Sequence, residues 1–152
     1  MGTASQATPG KILLIVEDEI IPAMVLRDEL EDAGYRVLEL TAYRHEAILA
    51  AQQCAPDLAL VNIQLHGRDD GIALARDLKA MGVPVLFISG QVDRARSAQT
   101  VAIGSLPKPY SAASMVLAVN YLLRPASDIR LAPPSGLEVF DWAVRKVAPD
   151  AA

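Results

Sequence analysis

Lys11-Ile12-Leu13-Leu14-Ile15-Val16-Glu17-Asp18 sets an unbroken aliphatic run directly against two acids. A strand with one wet face alternates apolar and polar residues. This run does not, so as a strand it must be covered on both faces, as central strands of parallel sheets are. Its acids then fall at the carboxyl end of the strand, where open parallel sheets bind their ligands. Two adjacent carboxylates beside Val16 repel each other unless a cation or a lysine balances them. The plainer alternative is that Asp18 or Glu19 caps the helix that follows.

Outward from this stretch, short aliphatic runs recur at Arg36–Glu39, Leu58–Ile63, Val83–Ile88 and Ser105–Pro107. Segments with helical spacing separate them. Ile20–Ala33 places Met24, Leu26, Leu30 and Ala33 toward one face, with Gly34 as terminator. Arg44–Cys54 repeats the pattern with Ala47, Ile48 and Ala51, and Ile72–Met81 with Leu74, Ala75 and Leu78. Asp93–Ile103 is Ala-rich, and Ser111–Leu123 is apolar with Ser111 as N-cap. Such β-α alternation predicts an α/β fold: a doubly wound, five-stranded parallel sheet with helices on both faces and right-handed crossovers.

After Leu123 the character changes. Residues 1–10 read as a flexible N-terminus, 11–123 as the domain, and 124–152 as a Pro-rich arm carrying a short C-terminal extension helix. Ser135 followed by Glu138 resembles a capping box. It opens a predicted helix to Val147, with Leu137, Phe140, Val144 and Val147 on one stripe and Trp142 beside them. That stripe is expected to dock on its own domain or to form a homodimer or partner surface. Thirty residues are too few for a separate DNA-binding or catalytic domain.

Composition narrows the function classes. The 152 residues carry a formal charge of -4, which argues against nonspecific nucleic-acid binding. No run reaches the roughly 18 apolar residues a bilayer span requires. Cys54 is the single cysteine, read as a small buried apolar residue, and the expected location is cytoplasmic.

The other strand ends converge on the same sheet edge. The third run delivers Asn62 and then Gln64, the fourth Ser89 and Gly90, whose backbone a ligand can approach closely, and the fifth Lys108. Acids, an amide, a hydroxyl and an ammonium together suit Mg²⁺ and a phosphoryl group better than zinc. Asp69 and Asp70 are expected to shape the turn before Gly71. His45 and His66 have no metal-ligand partner at useful spacing. Glu29–Asp32 reads as a solvated acidic face, and Asp93–Arg96 as a possible partner contact.

Ile12–Glu19, Pro56–Gly71, Pro84–Gly90 and Leu106–Tyr110 together resemble the receiver domain of two-component response regulators, over about residues 11 to 123. The resemblance implies a flavodoxin-like sheet of order 2-1-3-4-5. It implies that Glu17 and Asp18 hold Mg²⁺ with the Gln64 carbonyl. Asn62 matches the phosphoacceptor aspartate and a metal ligand, Ser89 the switch hydroxyl and Lys108 the phosphate-contacting lysine. Lys108-Pro109 matches a usual cis peptide bond. The implied partners are a histidine kinase or a histidine phosphotransfer protein. A homodimer through the fourth-helix/fifth-strand face or the C-terminal helix is also possible.

Two positions depart from the family. A carboxamide is a poor nucleophile, so Asn62 blocks acyl phosphate formation and should weaken Mg²⁺ binding. Either an aspartate has been replaced in this chain, or it is a natural receiver that works without phosphorylation. Ser105 stands where receivers often carry an aromatic ring that couples pocket to output face. The expected function is a stand-alone response-regulator receiver in a phosphorelay, blocked at position 62. The alternative is a phosphorylation-independent pseudo-receiver acting as a binding module. Neither is an enzyme: a phosphohydrolase of this architecture would need an intact nucleophile and room for an organic substrate.

Overall fold

The computed structural model describes residues 10–65, 69–125 and 132–140. In chain order the elements are β1 (Ile12–Val16), α1 (Ile20–Asp32), β2 (Arg36–Val37), α2 (Arg44–Gln53), β3 (Leu58–Asn62), α3 (Gly71–Ala80), β4 (Val85–Ser89), α4 (Val92–Ser97), β5 (Gly104–Pro107), α5 (Ala112–Leu122) and β6 (Glu138–Val139). The sheet runs β2-β1-β3-β4-β5-β6, with the first five strands parallel in the predicted order. The register pairs Val16 with Val61, Asn62 with Ile88 and Ser89 with Pro107, which brings the ends of β1, β3, β4 and β5 level.

The two-sided burial read from the aliphatic runs follows from strand alternation. Leu13, Ile15, Leu58, Leu60, Leu86, Ile88 and Leu106 pack under α1 and α5, against Ala23, Leu26, Leu30, Met115, Ala118 and Val119. Leu14, Val16, Ala59, Val61, Val85 and Phe87 face the opposite layer, against Ala47 and Ala51 of α2, Leu74, Ala75 and Leu78 of α3, and Ala95 of α4. Local chemistry sets the helix boundaries. Ser111 caps α5 by accepting from the Ser114 N–H at 3.0 Å, and Asp70 caps α3 by accepting from the Ile72 N–H at 3.0 Å. Gly34 leaves α1 at φ +106°, a left-handed conformation that favours glycine.

Several expectations are corrected. Met24 is exposed on α1, and Ala23 takes the inward position with Leu26 and Leu30. One residue is a 100° rotation on a helix, enough to swing Met24 off the buried stripe. Cys54 is half-buried rather than buried. The fourth helix ends at Ser97, well short of Ile103. There the Ile103 N–H donates to the Val85 carbonyl at 2.8 Å, committing the chain to β5 despite its Ala-rich composition.

The largest correction is in the arm. Ser135 does not open a helix. Glu138–Val139 forms β6, antiparallel to β5, so the sheet has six strands rather than five. Gly136 at φ +89° makes the turn before it, which a helix does not accommodate. The remainder of the predicted extension helix with Trp142, the N-terminus up to residue 9, and His66 lie outside the described residues.

Gly71 locks the β3–α3 connection that carries the candidate site. A Cβ there would stand 2.2 Å from the Asn62 carbonyl oxygen and 2.7 Å from the Ile63 Cα, both backbone atoms that cannot yield. Gly71→Ala is expected to destabilise the fold by about 2–3 kcal/mol or more through this overlap. Chemical denaturation measures it, and an unchanged midpoint would refute the role given to this close approach.

Candidate functional site

The register gathers the chemistry at the carboxyl edge of the sheet. Glu17 and Asp18 follow β1, Asn62 ends β3 with Gln64 two residues on, Ser89 ends β4, and Lys108 follows β5. Asp18, Glu19, Asn62, Gln64, Leu65, Ser89, Gly90, Gln91 and Lys108 line one open cleft. Every candidate site residue read from the sequence is brought to one place: Glu17, only 3% exposed, lies behind this lining and bonds to Asn62 and Lys108.

Asn62 is the hub. Its Nδ2 lies 3.1 Å from Glu17 Oε2, 3.0 Å from Asp18 Oδ1 and 2.9 Å from the Gln64 carbonyl oxygen. An ionised carboxylate and a backbone carbonyl can only accept. The amide must therefore turn its NH₂ toward them, because its own oxygen would meet three sets of lone pairs. Two N–H bonds thus serve three acceptors. The oxygens that the family resemblance implies for Mg²⁺ converge on this nitrogen. Hard oxygen donors of this kind fit Mg²⁺, and the Asn62 amide competes for the same lone pairs.

Lys108 supplies the full positive charge. Its Nζ donates to Glu17 Oε1 at 2.9 Å and lies 3.8 Å from Glu19 Oε1. Burial raises the Glu17 carboxyl above the ordinary carboxylate range, and Asp18 adds to the rise, while Lys108 opposes it. Glu17 Oε2 also accepts from the Glu19 N–H at 3.2 Å, whereas Glu19 makes no side-chain cap to α1. The acidic cluster thus faces the pocket rather than serving as a helix cap. Lys108-Pro109 is cis, as the resemblance implied.

Ser89 is buried, and its Oγ accepts from the Gln91 N–H at 2.9 Å. A Cβ built on Gly90 meets nothing within 4 Å, so the residue leaves the rim open. Asp69 accepts from the Arg44 N–H at 2.8 Å. Asp70 caps α3, as its position before Gly71 suggested, whereas Asp69 ties its loop to the first turn of α2. His45 is exposed and stacks on Tyr43 with ring centroids 5.9 Å apart.

Two features escaped the sequence. Gln91 bridges the rim: its Nε2 donates to Gln64 Oε1 at 2.7 Å, and its Oε1 accepts from Arg94, which pairs with Asp70 at 3.1 Å. A lone glutamine carries no pattern that would mark it. Beside the cleft, Ile20, Ile21, Met24 and Val25 are exposed on α1, and Ile21, Pro22 and Val25 line an apolar groove with Pro109 and Tyr110. Burial pushes the Tyr110 phenol up to about 12. The i, i+1, i+4, i+5 spacing of the four exposed apolar residues was a legible second stripe.

The family model of the response regulator receiver domain matches residues 13–120. The phyllosphere-induced regulator PhyR of Methylorubrum extorquens is 37% identical over 84 residues, 54% of this chain and 32% of PhyR. The transcriptional regulatory protein PdtaR of Mycobacterium tuberculosis is 30% identical over 123 residues, 77% of this chain and 58% of PdtaR. The chain thus spans only part of the length of these relatives. The crystal structure of the receiver domain of NtrX from Brucella abortus superimposes with a TM-score of 0.67 at 30% identity, covering 73% of this chain and 96% of that one. With the fold, the strand order and the edge cleft already in place, the match to the family model over most of the sequence makes this chain a member of the response regulator receiver domain family.

Proposed function

We propose that this receiver serves two-component signalling by protein contact, docking a histidine kinase or a histidine phosphotransfer protein without taking the phosphoryl group. The observation that carries the proposal is the Asn62 amide, whose nitrogen is held by Glu17, Asp18 and the Gln64 carbonyl. A carboxamide has no charged oxygen with which to attack phosphorus. In this position it also gives the acidic oxygens donors that a cation would have to displace. The pocket is thereby held together in one arrangement, independent of phosphorylation. This holds whether Asn62 is native or replaces an aspartate.

With an aspartate at position 62, the same geometry suits phosphoryl transfer. A carboxylate oxygen would attack the phosphorus of a phosphohistidine in line, forming the new O–P bond as the P–N bond breaks and the imidazole leaves. Glu17, Asp18 and the Gln64 carbonyl would hold Mg²⁺, which supplies neutralisation of the phosphoryl oxygens. Lys108 is positioned at the rim to share that charge. Ser89, with its oxygen accepting from Gln91, keeps its hydroxyl proton for a phosphoryl oxygen.

The apolar stripe of α1 supports the partner class. Ile20, Ile21, Met24 and Val25 border the cleft and continue into the groove with Pro109 and Tyr110. Such a surface suits the apolar face of a partner helix, as a helical phosphohistidine carrier would present. No described helix is long and apolar enough to cross a membrane.

The metal side of the proposal is read by thermal melting. Asn62→Asp is expected to melt below the parent chain in EDTA and to regain stability in Mg²⁺. At 100 times the dissociation constant the gain is about 2.7 kcal/mol, or roughly 5–10 °C. The parent chain is expected to shift far less. Equal Mg²⁺ responses in the two proteins would sink the proposal.

The chemistry and the docking surface separate in a second experiment. In Mg²⁺, phosphoramidate is expected to add one phosphoryl group to Asn62→Asp and none to the parent chain, measured by intact mass. Adding Ile21→Asp should leave that small-molecule reaction unchanged while slowing transfer from a phosphorylated histidine phosphotransfer protein by about tenfold or more, a loss of at least about 1.4 kcal/mol. Equal losses with both donors would remove α1 as the docking face.

A further inference from the structure

The edge of β5 is built to receive a strand. Gly104 lies opposite Val139 and Ser105 opposite Glu138, and the Phe140 N–H donates to the Ile103 carbonyl at 3.1 Å. A Cβ on Gly104 would stand 2.8 Å from the Glu138 carbonyl oxygen, so any larger residue there pushes the incoming strand away. The two apolar ends of the segment enter different layers. Leu137 joins the cluster under α1 and α5, and Phe140 enters the opposite one beside Phe87, Ala95, Ala98 and Ala102. Between them, Arg96 of α4 donates its Nε–H toward both carboxylate oxygens of Glu138, at 3.0 and 3.1 Å. An edge cut back to glycine, an apolar socket on each side of the sheet and an arginine above make a peptide site rather than a flat surface.

We propose that this edge is a strand-accepting peptide site, filled in cis by Gly136–Phe140 and open to a partner's extended segment in their place. The segment it takes carries an aliphatic residue, then an acid, with an aromatic residue three positions after the aliphatic one. The resting occupant defines that chemistry. It is a two-residue strand held by its short run of backbone bonds to β5, two apolar anchors and one ion pair exposed to solvent, so it opposes the ordering entropy of its whole segment with few contacts. Such an occupant is displaceable. The six-residue helix α4 also ties it to the cleft, because Arg94 pairs with Asp70 at the rim while Arg96 holds Glu138. The proposal does not depend on whether position 62 accepts phosphate.

The test uses the full chain with Leu137→Asp and Phe140→Asp, which empties the edge, and a fluorescent peptide of residues 132–140 as probe. Anisotropy is expected to show saturable binding to this variant and binding about tenfold weaker or worse to the parent chain, whose own arm competes at high effective concentration. Adding Gly104→Val should abolish capture. Arg96→Glu, at an exposed position that leaves the core untouched, should weaken it and be rescued by a peptide carrying Glu138→Arg. Absence of binding to a variant with a native circular dichroism spectrum would overturn the proposal. So would capture indifferent to both Gly104→Val and Arg96→Glu, or an exchange of arms between two copies seen as a dimer by solution mass.

Discussion

Glu17, Asp18 and the carbonyl of Gln64 aim three acceptor oxygens at one point, and a partly buried cluster of that kind is costly unless donors or positive charge meet it. The Asn62 amide nitrogen meets it from β3, and Lys108 meets it from beyond β5. Those groups come from strand ends that are adjacent only because the sheet runs β1-β3-β4-β5 with its carboxyl edge level. The register of the sheet and the charge balance of the cleft are therefore one constraint. A slip of a single residue would turn Asn62 to the other face of the sheet and leave the carboxylates facing each other.

Covering both faces of the sheet follows from the same constraint. These strands have no solvent side, and their residues are apolar up to the last position, where Asn62 ends β3 and Ser89 ends β4. The α1/α5 layer and the α2/α3/α4 layer then differ in what they leave outside. On α1 the outward residues near the cleft are apolar: Ile20, Ile21, Met24 and Val25. On α4 they are arginines, one tied to the cleft rim and one to the arm. A helix of six residues, linked at the rim and at the sheet edge, joins the cleft to the farthest strand from β2.

Much of this architecture is legible in the residue pattern alone. The four dispersed strand ends and the positions of Glu17, Asp18, Asn62, Gln64, Ser89 and Lys108 stand where that pattern puts them, and the strand order is the one the family resemblance implied. Strands buried on both faces announce themselves as continuous aliphatic runs, and a polar residue at the end of such a run has few places to go. Helix faces are less legible. Met24 and Ala23 are neighbours, and choosing which turns inward requires knowing the rotation of α1 over the sheet. The length of α4 is hidden because Ala-rich composition favours helix while a long-range bond from Ile103 to Val85 favours strand. Gln91 becomes part of the rim only through the fold.

The residues by themselves determined the layered parallel sheet, the edge at which the site residues gather and the lack of a nucleophilic carboxylate at position 62. They did so because strand periodicity and side-chain chemistry are properties of short segments. The tertiary structure alone decided what the arm does. Leu137 and Phe140 are three residues apart, a separation that puts them on one face of a helix and on opposite faces of a strand. Local spacing favoured the helix, but the unpaired edge of β5, cut back at Gly104 and open to both layers, offered backbone hydrogen bonds and two separate sockets. It likewise decided that the Asn62 amide turns its nitrogen inward, because only the folded chain brings three acceptors to that one atom.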